Sequence, residues 1–259
     1  QNIHPQGLII CNGYKDSEFI RLALLSTKLG MRTVIVMESV RELRLIIEVS
    51  RKLGIPPTLG VRVKLANVVS GNWAATSGDR SSFGLSIAQV MEVVETLRNE
   101  DLLDCLVLQH SHLGSQVPNM VEIRKFAQEA SRLFIEIAKL GANLKFLDLG
   151  GGLGVDYTGE NSSSANSINY SLEEYCYSLV ETVGFEMNDA GVSHPRECAW
   201  RCLGHHRGWA TRPCWRSWSS RCRHGRRSQK RQRFSYRVDD EELHCDGDSA
   251  VARCRALIA

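Results

Sequence analysis

Apolar residues along this chain follow two alternating rhythms. Short aliphatic or β-branched runs occur at Leu8-Ile9-Ile10-Cys11, Thr33-Val34-Ile35-Val36-Met37, Leu59-Gly60-Val61-Arg62-Val63, Cys105-Leu106-Val107-Leu108 and Phe146-Leu147-Asp148-Leu149. Runs of this length and composition predict buried parallel strands. Between them apolar positions recur at helical spacing: Phe19, Leu22, Ala23, Ser26, Leu29; then Val40, Leu43, Ile46, Ile47, Ser50, Leu53; then Ile87, Val90, Met91, Val94, Leu97; then Ile123, Phe126, Ala127, Ala130, Phe134, Ile137. Each stripe is expected to face the sheet. Successive strands are about 26 residues apart at first and about 40 later, room enough for right-handed βα crossovers. Five βα units in a row predict an α/β protein built on a parallel sheet. A Rossmann-type sheet and a (β/α)₈ barrel both fit, and in either the chemistry belongs at the carboxyl ends of the strands.

Composition narrows the class. At 259 residues, with 43% hydrophobic and 24% charged residues, the chain suits one large domain or two ordinary ones, which excludes wholesale disorder, collagen and coiled coil. No run reaches the roughly 18–20 apolar residues of a membrane-spanning helix, so a soluble protein is expected. Gln1-Asn2-Ile3-His4-Pro5 has the features of neither a secretory signal nor a transit peptide, and it lacks an initiating Met. Through residue 195 the cysteines are Cys11, Cys105 and Cys176, widely spaced, which favours a reducing compartment without a disulfide framework.

Charge divides the chain. Residues 1–195 hold 17 Lys and Arg against 22 Asp and Glu, a net of −5, whereas residues 196–259 hold 15 against 7, a net of +8. Six of the nine cysteines and four of the five tryptophans also fall after residue 195. The two parts are therefore read separately.

The strand ends carry the candidate chemistry. Gln109-His110-Ser111-His112-Leu113-Gly114-Ser115-Gln116 sets two alternating imidazoles, a hydroxyl and a flexible backbone directly after an apolar run. Asp148-Leu149-Gly150-Gly151-Gly152-Leu153-Gly154-Val155-Asp156-Tyr157 places four glycines in five positions, so that several N–H groups can converge on an anion. Its G-G-G-x-G spacing differs from the dinucleotide fingerprint. A tight turn needing glycine for steric reasons is the plainer reading of that loop, and a hydrogen-bonded structural histidine is the plainer reading of either imidazole. Together the two segments point to a phosphorylated ligand. The polar, glycine-rich stretch from Ser70 to Leu85 reads either as a cover for a ligand or as an extended connection. Lys15, just before a helix, is expected to be solvated.

Cys11-Asn12-Gly13-Tyr14-Lys15-Asp16, Gly60-Val61-Arg62, Ser82-Phe83-Gly84-Leu85, His112-Leu113-Gly114-Ser115-Gln116 and Gly150-Gly151-Gly152-Leu153-Gly154-Val155-Asp156-Tyr157 resemble, in this order, the biosynthetic arginine decarboxylases of bacteria and plants. The resemblance runs over roughly residues 8–195. It implies that residues 1–195 form part of a (β/α)₈ barrel of the alanine-racemase type that binds pyridoxal 5′-phosphate. It also implies conversion of L-arginine to agmatine and CO₂ in polyamine biosynthesis, with the cofactor as electron sink. By resemblance His112 stacks on the pyridine ring, Ser115 with Gly150, Gly151, Gly152 and Gly154 holds the phosphate, and Asp148 and Asp156 serve the substrate. Glu197 matches the glutamate that pairs with the pyridine nitrogen. The resemblance further implies a homo-oligomer, dimer or higher, in the full-length family and a cytoplasmic location, or a plastid one in a plant. Mg²⁺ enters only through the resemblance, and no metal site is assigned.

The departures are specific. The family's cofactor-bearing lysine lies several βα units before the Asn-Gly-Tyr-Lys-Asp segment, earlier than this chain begins, so the chain alone is expected to be inactive. Ser82 replaces the usual Lys, and Gln109 and Ser111 replace apolar neighbours of the histidines. From residue 196 the chain reads Arg196-Glu197-Cys198-Ala199-Trp200-Arg201-Cys202-Leu203-Gly204-His205-His206, a compressed spacing without the family's Gly-Arg. The family's C-terminal β-domain has no counterpart. Residues 196–237 carry twelve Arg and one Lys against one acid with no helical or strand period. Nucleic-acid binding through Arg and Trp and zinc binding through Cys198, Cys202, His205 and His206 are both open to this segment. A change of reading frame or a chimeric junction near residue 196 explains the composition more simply and makes nucleic acid a disfavoured partner. A related basic-amino-acid decarboxylase and a non-catalytic pyridoxal-phosphate module stand as alternatives for residues 1–195.

Overall fold

The computed structural model describes residues 7–66, 83–162, 164 and 166–192, together with the backbone of 235–238 and 241–244. The chain divides into two units, Gln1–Ala199 and Trp200–Ala259.

In the first unit β1 (Leu8–Cys11), α1 (Ser17–Lys28), β2 (Arg32–Met37), α2 (Val40–Leu53), β3 (Leu59–Arg62), α3 (Ile87–Asn99), β4 (Leu106–His110), α4 (Met120–Lys139), β5 (Phe146–Asp148) and α5 (Leu172–Asp189) follow one another. All five strands pair in parallel, in the spatial order β1-β2-β3-β4-β5. This order decides between the two architectures left open by periodicity. A doubly wound sheet reverses its strand order at a switch point. Here the order never reverses, so right-handed crossovers lay every helix on the same face, as in an arc of barrel wall. The opposite face carries its own apolar cluster of Val34, Val36, Leu108 and Phe146 with Leu8 and Ile10, the face a barrel turns inward. The larger core of Ile35, Met37, Leu59, Val61 and Leu106 with residues of α1, α2 and α3 lies on the helical side.

Local signals fix the helix starts. Asp16 accepts the Phe19 N–H, Ser39 the Glu42 N–H and Asn119 the Val121 N–H, while Ser86 with Gln89 and Ser171 with Glu174 form reciprocal capping boxes, each satisfying N–H groups that a helix start leaves unpaired. The buried stripes of α2 and α4 are those the periodicity predicts. That of α1 is displaced: Ile20, Ala23 and Leu24 are buried, whereas Phe19, Leu22 and Leu29 are exposed. Both faces of α1 carry apolar residues, and the one with Ile20, Ala23 and Leu24 packs into the core on the sheet. In α3, Val93 is buried and Ile87 and Met91 are about half exposed. Helix α5, which the apolar pattern does not reveal, buries Ser178, Gly184 and Glu186 beside Leu179, Val183 and Met187, so its core face is diluted by small and polar residues. It packs on α4, where Glu186 accepts from Gln128 at 2.7 Å and Arg132 at 2.9 Å.

Within the described part of the second unit, β6 (Ser235–Val238) and β7 (Glu241–His244) pair antiparallel, with Ser235 opposite His244. The sequence of residues 196–237 shows no strand period, so β6 is not foreshadowed there.

Candidate functional site

β4 runs further than its apolar run suggests. Gln109 and His110 are its last residues, buried rather than lying in the following loop. Strand alternation sends them to opposite faces. Gln109 Nε2 donates to the carbonyl of Ala130 in α4 at 2.9 Å, so it belongs to the helical side. His110 shares the other side with His112, their rings 6.4 Å apart and 20° from parallel.

The neighbouring strand end holds this pair in place. His110 Nδ1 lies 2.9 Å from Asp148 Oδ2. The other carboxylate oxygen of Asp148 accepts the Gly150 N–H at 2.8 Å. Burial alone would push the Asp148 carboxyl up, yet His110 and the Gly150 N–H outweigh it and hold it below the ordinary carboxylate range. The Gly151 N–H points at His112 Nδ1 at 3.3 Å, which makes Nδ1 the acceptor and leaves Nε2 to carry the proton of the neutral ring. Desolvation against its neighbours, then the charges of His110 and Arg62, depress the His112 pKa, with Asp148 opposing.

Glycine is required here by contact as well as by backbone. A Cβ on Gly150, whose φ is +63°, would stand 2.7 Å from His112 Nδ1 and 3.2 Å from His110 Cε1. A Cβ on Gly154 would stand 2.4 Å from Ile168 Cγ2. The Gly154 N–H donates to the Tyr170 hydroxyl at 3.0 Å, so it is already engaged and not free for a phosphate. His112, Ser115, Gly150 and Gly151 all remain exposed at the carboxyl edge of the sheet. His112 and the glycine turn adjoin at this edge, and an exposed imidazole beside exposed glycine backbone fits a flat, phosphorylated cofactor.

A second network lies at the ends of β1, β2 and β3. Lys15 is not solvated, as its place before a helix suggests, but buried at 1% exposure. Its ammonium donates to the Gly13 carbonyl and lies 3.3 Å from Glu42 Oε2. The Asp16 cap turns the chain back over the sheet and carries Lys15 under it. Glu42 also accepts the N–H of Glu38 at 2.8 Å. Glu38 in turn accepts from the Gly13 N–H at 2.8 Å and from Arg62 Nη1 at 3.1 Å, and the Arg62 guanidinium lies 5.2 Å over the Phe83 ring.

Of the residues singled out from sequence, His112 lies against Gly150 and Gly151, Gly152 lies against Gly114 and Val117, and Ser115 is exposed on the loop after β4. Gly154 lies behind them. Asp148 is engaged with His110. Asp156 turns inward on its own loop, its carboxylate accepting from Gly159 N–H, Asn161 N–H, Thr158 and Ser167, bonds that keep it acidic. Glu197, the Cys and His ligands considered for zinc, Ser82 and most of the Ser70–Leu85 stretch lie outside the described residues. Among the described residues no cluster of three His, Cys, Asp or Glu could hold a metal, and no helix is long and apolar enough to cross a membrane. Tyr170 and the pairing of Glu38 with Arg62 had no sequence signal, because each is a single polar residue whose partner is distant along the chain.

A sequentially ordered parallel sheet with an imidazole set against a glycine loop at its carboxyl edge defines a class, the barrel-type α/β domain. The particular family follows from comparison. A model of the pyridoxal-binding domain of pyridoxal-dependent decarboxylases matches residues 1–187, and the chain belongs to that family. It is 46% identical over 205 residues to the biosynthetic arginine decarboxylase of Xylella fastidiosa, covering 78% of this chain and 33% of that one. It is 51% identical over 189 residues to that of Shewanella loihica, covering 73% and 30%. The chain thus spans about a third of the length of these curated relatives. Among solved structures it resembles the biosynthetic arginine decarboxylase of Campylobacter jejuni, with a TM-score of 0.65 and 29% identity over 75% of this chain and 31% of that one. Diaminopimelate decarboxylase of Helicobacter pylori shares the fold, with a TM-score of 0.56 and 24% identity over 68% and 42%.

Proposed function

We propose that residues 1–195 are the pyridoxal-phosphate-binding part of an arginine decarboxylase, which converts L-arginine to agmatine and CO₂. The observation that carries this reading is the Gly151 N–H directed at His112 Nδ1, which joins the two motif-bearing loops into one surface. Identity of 46–51% to biosynthetic arginine decarboxylases supports arginine over other basic amino acids.

When bound, pyridoxal phosphate supplies an electron sink for the bond to the departing carboxylate. The residues of this chain orient it. His112, neutral and with Nδ1 already accepting, offers its face to the ring and keeps a proton on Nε2. Ser115, exposed at the same edge, is the donor assigned to the phosphate, while Gly151, whose N–H is engaged by His112 Nδ1, and buried Gly152 shape the turn beside it. Asp148 positions His110 and the Gly150 turn rather than reaching the substrate directly, and Asp156 steadies its own loop. Glu197 is retained as the pyridine-nitrogen partner. The same reading carries a homo-oligomeric, cytoplasmic protein, with residues 196–259 outside the barrel.

A chimeric enzyme tests this. A chimera in which residues 8–187 replace the matching segment of the Xylella fastidiosa enzyme should release CO₂ from L-arginine. A folded chimera that decarboxylates lysine or ornithine in preference would overturn the substrate assignment.

A further inference from the structure

The loop after β4 and the loop after β5 are fastened to each other at points the decarboxylase motifs do not explain. Gln116 Oε1 accepts the Val155 N–H at 2.8 Å, and Gln116 Nε2 donates to the Val155 carbonyl at 2.6 Å. One side-chain amide thus pairs with both backbone groups of a single residue across the gap. Behind it the Tyr170 hydroxyl donates to the Val117 carbonyl at 2.6 Å and accepts the Gly154 N–H at 3.0 Å. One backbone bond, Val117 N–H to the Gly152 carbonyl at 3.1 Å, lies between the two. Tyr170 is 7% exposed, so both of its partners would be left without a hydrogen bond if the hydroxyl were lost. Gln116 has a φ of +53°, a left-handed conformation that a non-glycine residue holds only where surrounding contacts impose it. Its amide pairing with Val155 is such a contact. The strained residue immediately follows Ser115, and Gly154, held by Tyr170, and Val155, held by Gln116, lie two and three residues beyond Gly152.

We propose that Gln116 and Tyr170 are positioning residues that form a two-point latch, holding the Ser115 turn at a fixed distance from the Gly150–Gly152 turn and so setting affinity for the phosphate of the cofactor. Neither side chain touches the ligand. This inference rests on the reading of the site as a pyridoxal-phosphate site. The latch fixes Gln116, next to Ser115, so it should affect pyridoxal phosphate and leave pyridoxal, which has the ring without the phosphate, unaffected. A merely structural role would weaken both alike.

The test uses the full chain and two variants. Tyr170→Phe keeps the ring and its packing. Gln116→Gly removes the amide while relieving the left-handed backbone, so it should fold even where the first does not. Amide hydrogen exchange at Gly154 and Val155 and affinities for pyridoxal phosphate and pyridoxal by calorimetry are the readouts. Each variant should exchange these amides at least about tenfold faster, with α4 unchanged, and bind pyridoxal phosphate about tenfold more weakly while binding pyridoxal as before. Unchanged exchange, or an equal loss for both ligands, overturns the latch. If the unsubstituted chain does not prefer pyridoxal phosphate to pyridoxal, the cofactor reading itself fails, and the proposal that the latch sets phosphate affinity fails with it. If it does prefer it and both variants keep that preference, only the latch falls.

Discussion

At the residue scale the site depends on contacts that tolerate little change. Gly150→Ala would force a methyl against His112 Nδ1 at 2.7 Å on a backbone with φ +63°, and a loss of about 1–3 kcal/mol in urea denaturation is expected. His112 should titrate below the ordinary histidine value of about 6.5, since packing, His110 and Arg62 disfavour its charged form. Between the folded and the unfolded pKa the unfolded chain binds more protons, so stability is fully present above about pH 6.5 and falls as pH drops through that window. The His112 Cε1 proton shift reports the midpoint directly. Asp148→Asn removes the one opposing charge and should move that midpoint further down; a rise would contradict the arrangement. Asp148, held below the ordinary carboxylate range, contributes stability above about pH 4 that disappears as pH falls through its folded value. The histidines and the glycine loop are legible in sequence because each is a run of unusual residue types. Their mutual geometry is not, because Asp148, Tyr170 and Gln116 act singly on partners distant along the chain, 39 residues for Gln116 with Val155 and 53 for Tyr170 with Val117.

At the scale of elements, legibility followed contrast. The β-branched runs stand out sharply and all five strands occur within a residue or two of their expected limits, apart from the two-residue extension of β4. Helices α2 and α4, with strong apolar faces, match as well. In α1 two apolar faces compete and packing on the sheet selects Ile20, Ala23 and Leu24, and in α5 a core face containing Ser178, Gly184 and Glu186 leaves no apolar period to read. The capping boxes carry part of that burden. Ser171→Ala should destabilise α5 by about 1 kcal/mol, measured as a shift in denaturation midpoint. The join of β1 to α1 rests on the buried pair of Lys15 with Glu42. Lys15→Met leaves that carboxylate without its cation and is expected to lower stability by about 3–5 kcal/mol; a change below about 1 kcal/mol would show that the backbone N–H groups on Glu42 suffice alone.

For the whole molecule, the sequential strand order turns an ambiguous α/β pattern into an arc of barrel wall, and the comparisons extend across the same residues. Residues 1–187 match the pyridoxal-binding family, and the alignment with the Xylella fastidiosa enzyme takes in 78% of the chain, so the correspondence reaches the charge seam near residue 196. The change of reading frame expected there from composition is tested by resequencing the transcript across codon 196; tail peptides matched to an in-frame transcript would contradict it. The central claim concerns the acidic part alone: the carboxyl edge of this sheet receives pyridoxal phosphate by its phosphate and its ring. Calorimetric titration of the chain with pyridoxal phosphate and with pyridoxal tests it most directly. The account predicts one site, at least about tenfold tighter for the phosphorylated form and weakened for both ligands by His112→Ala; equal affinity for the two ligands, or binding indifferent to His112, would contradict it.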